Sequence, residues 1–247
     1  MIPGSHPSLG VAMMLERKGI PFKRVDMIPG PIKQVSLRAM GFAQDTVPAL
    51  KLGSKKIQGS RQISRELDRV RPQPPLFPSD PEERGRVEEA ELWGDEVLQP
   101  SARRMIWNGL GRDRSALTSY SEGAKLRVPT AVAARTGAPV IAMARRRNQA
   151  DDQAVARDFS ELPGVLAHVD GLIADGVIGG EGANAADFQI APSVRLMLTM
   201  DDLRPAIESR PAGELAMRLI PDFPGRLPPV FPRQWLQPLR AEPAQPG

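Results

Sequence analysis

The sequence contains no cysteine and only two histidines, His6 and His168. The absence of cysteine excludes a disulfide scaffold, a thiolate metal site, a Cys-x-x-Cys redox centre and a cysteine nucleophile. With so few histidines, a metal site built from several imidazoles is not expected either. We therefore expect no metal cofactor.

Long apolar runs and aromatic side chains are also scarce. No segment approaches the ~18 consecutive apolar residues of a membrane span, and the first residues lack the basic-then-apolar pattern of a signal peptide. Aromatic residues make up 4% of the chain, which argues against stacking on single-stranded nucleic acid. The net charge of +4 is small, and the run at 145–147 is interpreted as a solvated helix end. We expect a cytoplasmic protein that binds neither nucleic acid nor membranes.

Prolines, by contrast, are frequent and clustered. The chain has 247 residues, 41% apolar and 25% charged, which is ordinary for a globular protein of about two domains. The 26 prolines cluster near residues 72–81 and 221–238. They divide the chain into an α/β domain, a stiff linker, an all-helical domain and an irregular tail, at residues 1–71, 72–81, 82–220 and 221–247.

The first 71 residues mix helical and strand patterns. Val11, Met14 and Leu15 predict a helix over 7–19, with Lys18 interrupting the apolar stripe and Gly19 ending the helix. The alternation of residues 21–27 predicts a strand.

A proline-bearing strand and a hairpin are predicted next. A short helix is expected over 32–40, then an edge strand at 46–50, because Pro48 cannot donate to a ladder. A hairpin turns at Gly53, and Ser60 opens a helix with an apolar face of Ile63, Leu67 and Val70.

Beyond residue 82 only helical periodicities occur. Within this region Asn184 precedes Asp187 by three positions, the spacing of a capping box in which side chain and backbone satisfy each other.

This order of elements is a thioredoxin fold lacking most of its first strand, followed by helices. The motifs that accompany it resemble cytosolic glutathione S-transferases, the opening being closest to their serine-type, theta-like members. Four segments carry the resemblance: Ser5-His6-Pro7-Ser8 with Lys18–Phe22, Thr46–Leu50, Ser60–Ile63 and Asn184–Asp187.

The resemblance implies that glutathione is bound as co-substrate and that its thiolate attacks a small electrophile. Ser5 would stabilise the thiolate by donating a hydrogen bond at the start of the first helix, with Ser8 as the second candidate. The alternative is that both serines are helix caps.

The resemblance also implies residues that bind the rest of glutathione. Val47, preceding a cis Pro48, would pair with the cysteinyl unit. Ser60 and Arg61 would begin a helix that receives the glutamyl carboxylate. Gly59 departs from the family's acidic or Gln residue, so Gln58 is the candidate for the glutamyl amine. For the glycyl carboxylate the candidates are Lys33 and Gln34, although a solvated lysine is an equal alternative.

Two rival interpretations stay open. One is a non-catalytic binding protein on the same fold, and the other is a transferase that uses a different low-molecular-weight thiol. The short first strand leads us to expect a native start upstream of Met1. A homodimer is expected from the family. Trp93, Met105, Trp107 and Tyr120 are candidates for the electrophile pocket, with core packing as the alternative.

Overall fold

The computed structural model describes residues 4–27, 31–123 and 137–240. An α/β unit comes first and helices follow, as predicted. The first unit contains α1 (His6–Arg17), α2 (Pro31–Ala39), β1 (Ala49–Leu52), β2 (Lys55–Gln58) and α3 (Ser60–Val70).

The helices after residue 80 form the larger part of the core. They are α4 (Pro81–Trp93), a π-helical turn (Gly94–Leu98), α5 (Gln99–Arg112), a 3₁₀ segment (Arg114–Ser121), α6 (Gly137–Arg147), α7 (Asp152–Ala174), α8 (Ala185–Met197), α9 (Arg204–Ile207), α10 (Pro211–Leu219) and α11 (Gln237–Arg240). Among the described residues, no helix is long and apolar enough to cross a membrane.

The end of α1 is fixed by a buried lysine. Gly19 ends the helix with φ +57°, as predicted. Lys18 is fully buried rather than a break in the apolar stripe. Its ammonium donates to the Asp68 carboxylate at 2.6 Å and to the carbonyls of Arg71 and Pro74 at 2.7 and 2.6 Å. The proline segment is therefore attached to the end of α1.

The predicted hairpin is present as β1 and β2, antiparallel, with Ala49 opposite Gln58. Gly53 occupies the turn with φ +60°. The predicted strand at 21–27 is wrong, because among the described residues the only sheet consists of β1 and β2. The alternation there leaves Phe22 and Val25 at 40% and 51% exposure, so it does not mark a buried sheet face.

The apolar face of α3 is shorter than predicted. Ile63 and Leu67 are fully buried, but Val70 is 50% exposed. Val70 is the last residue of the helix, and the chain turns into the proline segment directly after it. The end of the predicted apolar face, at Val70, therefore lies outside the core.

The two parts of the chain meet where α1 packs along α8. A Cβ at Gly10 would lie 2.2 Å from the Phe188 carbonyl oxygen, so only glycine permits this approach. The predicted capping box begins α8: the Asn184 side chain accepts from the Asp187 N–H, and the Asp187 carboxylate accepts from the Asn184 N–H.

The proline-rich tail packs against the helices up to residue 240. Phe223 and Phe231 are buried, and the ring of Phe231 contacts that of Phe159 at a centroid distance of 4.8 Å. Leu227 pairs with Met200 in an isolated bridge.

Candidate functional site

Ser5 stands at the N-cap position of α1, yet its side chain makes no capping hydrogen bond. Its hydroxyl instead donates to the Ser8 hydroxyl at 3.0 Å. Ser8 is buried and Ser5 is half-buried. The Ser5 side chain thus leaves the N–H groups of the first turn unsatisfied, and this end of the helix carries partial positive charge.

His6 is buried beside them and does not act on Ser5. Burial, and then the charge of Arg103, hold the pKa of His6 well below its ordinary value, although the ring hydrogen-bonds to the Gln99 backbone. The ring is therefore neutral at pH 7. Its Nε2 is buried without a hydrogen-bond partner. This arrangement offers no serine–histidine pair for hydrolysis.

The Val47–Pro48 peptide bond is cis, as the resemblance implied. The Pro48 carbonyl accepts from the Gly59 N–H at 3.0 Å. Within the described part of the chain, the N–H and C=O of Val47 have no hydrogen-bond partner. A backbone donor and acceptor are therefore open to a ligand on this edge.

The side-chain amide of Gln58 forms hydrogen bonds within the protein. Its nitrogen donates to the carbonyls of Gln44 and Thr46 at 2.8 and 3.1 Å, and its oxygen accepts from the Gln44 N–H at 2.8 Å. Gly59 follows with φ +90°, a conformation that side chains disfavour. Gln58 holds the loop before the cis-proline, which leaves little capacity for a ligand amine.

Ser60 and Arg61 form the first turn of α3. Ser60 is buried, and Gly59 has no side chain to cap the helix. The Nε of Arg61 is buried without a hydrogen-bond partner and lies 3.8 Å from Glu91 Oε2. Glu91 also accepts from Arg65 and from the Ser64 hydroxyl. A cationic helix start therefore faces the last turn of α4.

Lys33 and the loop before the cis-proline belong to one cluster of charged side chains. Asp45, two residues before Val47, accepts two hydrogen bonds from Arg147 at 2.6 and 2.8 Å. Burial first, then the charges of Arg147 and Arg103, lower the pKa of Lys33, whereas Asp45 raises it. Gln34 is half-buried beside Lys33 on α2.

Asp95 completes this cluster from the π-helical turn. Burial raises the pKa of Asp95, although the charges of Arg61 and Arg103 favour its ionised form. Gln99 and Gln189 each donate to its Oδ1 at 3.3 Å. The charge of Arg103 acts on His6 at the start of α1, on Lys33 of α2 and on Asp95, and the charge of Arg61 at the start of α3 acts on Asp95.

Sequence reasoning missed the contribution of the helical part to this region. Arg147 is the exposed last residue of α6, as expected, but its ion pair with Asp45 was not predicted. Arg103 and Asp95 lie in helices where only apolar periodicity was informative. The one sequence signal for this region was an arginine in an amphipathic helix. Such an arginine does not distinguish a functional site from an ordinary solvent-exposed surface.

The aromatic candidates for the electrophile pocket lie mostly in the core. Met105 is fully buried, and the Tyr120 hydroxyl bonds the Thr199 hydroxyl at 2.7 Å. Burial raises the pKa of Tyr120. Trp93 is half-buried and contacts the His168 ring at a centroid distance of 4.3 Å with the ring planes tilted by 51°, and Trp107 packs against the core. Core packing accounts for Met105 and Tyr120.

Known families and solved structures include proteins that are similar to this chain. Residues 1–75 match the glutathione S-transferase N-terminal domain family. No curated protein matches the chain. Across the parts that the structure describes, no group of three or more His, Asp or Glu side chains could hold a metal ion.

Solved structures match almost the whole chain at low sequence identity. A glutathione S-transferase from Rhodospirillum rubrum F11 is 16% identical, with a TM-score of 0.58 and 98% of each chain covered. Glutathione transferase F2 from Populus trichocarpa is 18% identical, with a TM-score of 0.59 over 90% of this chain and 91% of that one. The beta-etherase LigF from Sphingobium sp. strain SYK-6 is 17% identical, with a TM-score of 0.56 over 86% and 94%. Residues 1–75 are therefore similar in sequence to the glutathione S-transferase N-terminal domain family, and the chain has the fold of the solved glutathione S-transferases.

Proposed function

We propose that the protein binds glutathione between its two parts and activates the thiol for attack on a small electrophile. The observation that carries this proposal is the open backbone of Val47, whose N–H and C=O lack partners in the described chain. An extended cysteinyl unit pairs with such an edge through two hydrogen bonds.

The start of α1 supplies the chemistry in this proposal. A thiol bound there meets the Ser5 hydroxyl, which is not used to cap the helix. The hydroxyl donates to the sulfur, and the helix dipole favours the thiolate, so the thiol pKa falls and the nucleophile forms near neutral pH. The thiolate then forms a sulfur–carbon bond, and the leaving group departs with its electron pair. The Ser5 hydroxyl has one proton, which it donates to Ser8 in the free protein. When that proton is donated to the sulfur, the Ser5 oxygen accepts from the Ser8 hydroxyl instead.

Cationic groups around the site suit the two glutathione carboxylates. Ser60 and Arg61 offer the helix start of α3 to the glutamyl carboxylate. Lys33, whose pKa is lowered by burial and by neighbouring arginines, is the candidate for the glycyl carboxylate with Gln34 beside it. An anion at Lys33 would offset the repulsion from those arginines.

A second candidate function follows from the glutamyl amine. Gln58 is engaged with its own loop, and Gly59 has no side chain, so neither readily holds an ammonium group. This favours a thiol without that ammonium, or a protein that binds without catalysing. The serine-type subclass, the cytoplasmic location, the homodimer and the domain boundaries remain parts of the proposal.

Calorimetric titration with glutathione, after a cooperative thermal melt, tests the proposal. Micromolar-to-millimolar binding by a folded protein would support a thiol site. If the sulfur site is closed, this binding is lost when the cysteinyl thiol carries a bulky S-alkyl group. Parallel titration with N-acetylglutathione, which lacks the ammonium group, separates the two candidates. Equal affinity for both ligands would favour the second candidate. No heat with either ligand would contradict the thiol site.

A further inference from the structure

The ring of Tyr120 connects the residue before Ser5 to the proline-rich tail. The ring is buried, and the chain at Gly4 passes so close to it that a Cβ there would lie 3.2 Å from Tyr120 Cδ1. The tail approaches the same atom, because a Cβ at Gly225 would lie 2.2 Å from it. The start of α1 and the tail therefore contact one ring, although they are at opposite ends of the sequence.

Gly225 is the tail residue in contact with the ring, and its position excludes any side chain. A Cβ there would also lie 2.4 Å from Cε1 and 2.6 Å from Cγ of the ring. The φ of +99° at Gly225 belongs to the region that favours glycine. Because protein interiors are close-packed, a displacement of the tail at Gly225 shifts the ring, and the ring then shifts Gly4.

A hydrogen bond fixes the other end of the ring. The Tyr120 hydroxyl lies 2.7 Å from Thr199 Oγ1, and Thr199 donates its own proton to the Leu196 carbonyl at 2.6 Å. Tyr120 is therefore the donor in its bond with Thr199. Since this proton is used inside the core, the hydroxyl of Tyr120 does not act directly on a ligand.

The turn that follows Gly225 is held by the same two segments that hold the ring. The Arg226 N–H donates to the Ser119 hydroxyl at 3.0 Å, and the Leu227 N–H donates to the Thr199 carbonyl at 2.9 Å. Leu227 is fully buried. The tail is thus a fixed surface against which the ring packs.

We propose that Tyr120 is a positioning residue for Ser5 and that the proline-rich tail acts on the thiol site through it. This inference rests on the proposed function, in which Ser5 donates to the thiol. Ser5 follows Gly4 directly, and its carbonyl accepts from the Leu9 N–H at 2.9 Å, so a shift of Gly4 moves both the hydroxyl and the first turn of α1. A misplacement of about 1 Å at a reacting group costs up to about 10²-fold in rate.

Four variants separate the ring from its hydroxyl and from tail packing in general. Tyr120→Leu removes the ring, whereas Tyr120→Phe removes only the hydroxyl. Gly225→Ala forces a side chain against the ring. Phe231→Leu is the matched control, because Phe231 is a buried ring of the same tail that contacts Phe159. Thermal melts establish that each variant is folded, and Gly225→Ala carries the test if Tyr120→Leu does not fold.

Hydrogen exchange of the Leu9 amide measures the first turn of α1 without any ligand. We expect this exchange to be about tenfold faster in Tyr120→Leu and Gly225→Ala, and unchanged in Tyr120→Phe and Phe231→Leu. The ultraviolet absorbance of the thiolate at saturating glutathione measures the effect on the chemistry. We expect the thiolate fraction near pH 7 to fall by about tenfold in the first two variants and to be kept in the other two.

Unchanged Leu9 exchange in Tyr120→Leu and Gly225→Ala would overturn the proposal. So would faster exchange with an unchanged thiolate fraction, or an equal loss of thiolate in Phe231→Leu, since that loss would follow from stability alone. If the native protein does not ionise glutathione, the proposed function fails. The Leu9 exchange still decides in that case whether Tyr120 sets the position of Ser5.

Discussion

At the scale of single residues, the proposed chemistry depends on a hydroxyl at a helix start. The Ser5 side chain does not cap the helix, and its one hydrogen bond is donated to the Ser8 hydroxyl. The sequence predicts both serines as candidates, because the resemblance to the family begins with them. It does not predict which of them faces a ligand, since both are equally plausible caps.

For Ser5→Ala we expect turnover to fall by about 10²–10³ with glutathione affinity nearly unchanged, because the hydroxyl acts on the thiolate and not on the rest of the ligand. Steady-state kinetics with a general electrophile and calorimetry measure the two quantities. Ser8→Ala is the matched control and should lower turnover less. If Ser5→Ala kept full turnover, Ser5 would not be the thiolate partner.

Gly59 is a second residue-scale feature, with φ +90° and ψ 136° directly before α3. Gly59→Ala should lower the free energy of unfolding by about 1–3 kcal/mol, because a side chain is strained in that conformation. Gly85→Ala, at an exposed and open position inside α4, should instead raise it by about 0.5–1 kcal/mol. Urea denaturation of both variants measures these changes. If Gly59→Ala left the free energy of unfolding unchanged, the turn would have relaxed to accept the side chain.

At the scale of elements, local patterns were sufficient where the contacts are local. The hairpin at Gly53 and the capping box at Asn184 were predicted, since each is formed by residues a few positions apart. The prediction of a strand at 21–27 was wrong, because a strand requires a hydrogen-bonded neighbouring strand, which the sequence of the segment itself does not reveal. Lys18 was misread for the same reason: its partners lie fifty and more residues away.

Lys18→Met should lower the free energy of unfolding by about 3–5 kcal/mol, because the Asp68 carboxylate and two carbonyls lose the ammonium that satisfies them. The exposed Lys51→Met in β1 removes the same charge and should have little effect. Guanidinium denaturation compares the two. Equal stability of both variants would mean that Lys18 does not hold the proline segment.

At the scale of the whole molecule, the Asp45–Arg147 pair joins the cis-proline loop to α6. The hydrogen bonds from Arg147 lower the pKa of Asp45 to about 2, so the folded state binds fewer protons than the unfolded state, in which the pKa is about 3.9. The stabilisation is therefore complete above about pH 5 and is lost as the pH falls toward 2.

We expect Asp45→Asn to be less stable than the native protein at pH 7 and equally stable near pH 2. The difference should be less than about 1 kcal/mol, because Asp45 and Arg147 are 29% and 44% exposed and water screens the pair. Unfolding free energies across this pH range measure it. A difference that grows as the pH falls would contradict the assignment.

The contact between Gly10 and Phe188 also has a consequence for the synthesis of the chain. The two residues are 178 positions apart, and at ~5–20 residues per second the ribosome needs roughly 10–40 s to deliver α8 after α1 has emerged. During that interval α3, which also packs on α1, is already made, but the side of α1 that contacts α8 has no partner helix. The first third of the nascent chain therefore presents a binding surface to chaperones until translation reaches the capping box.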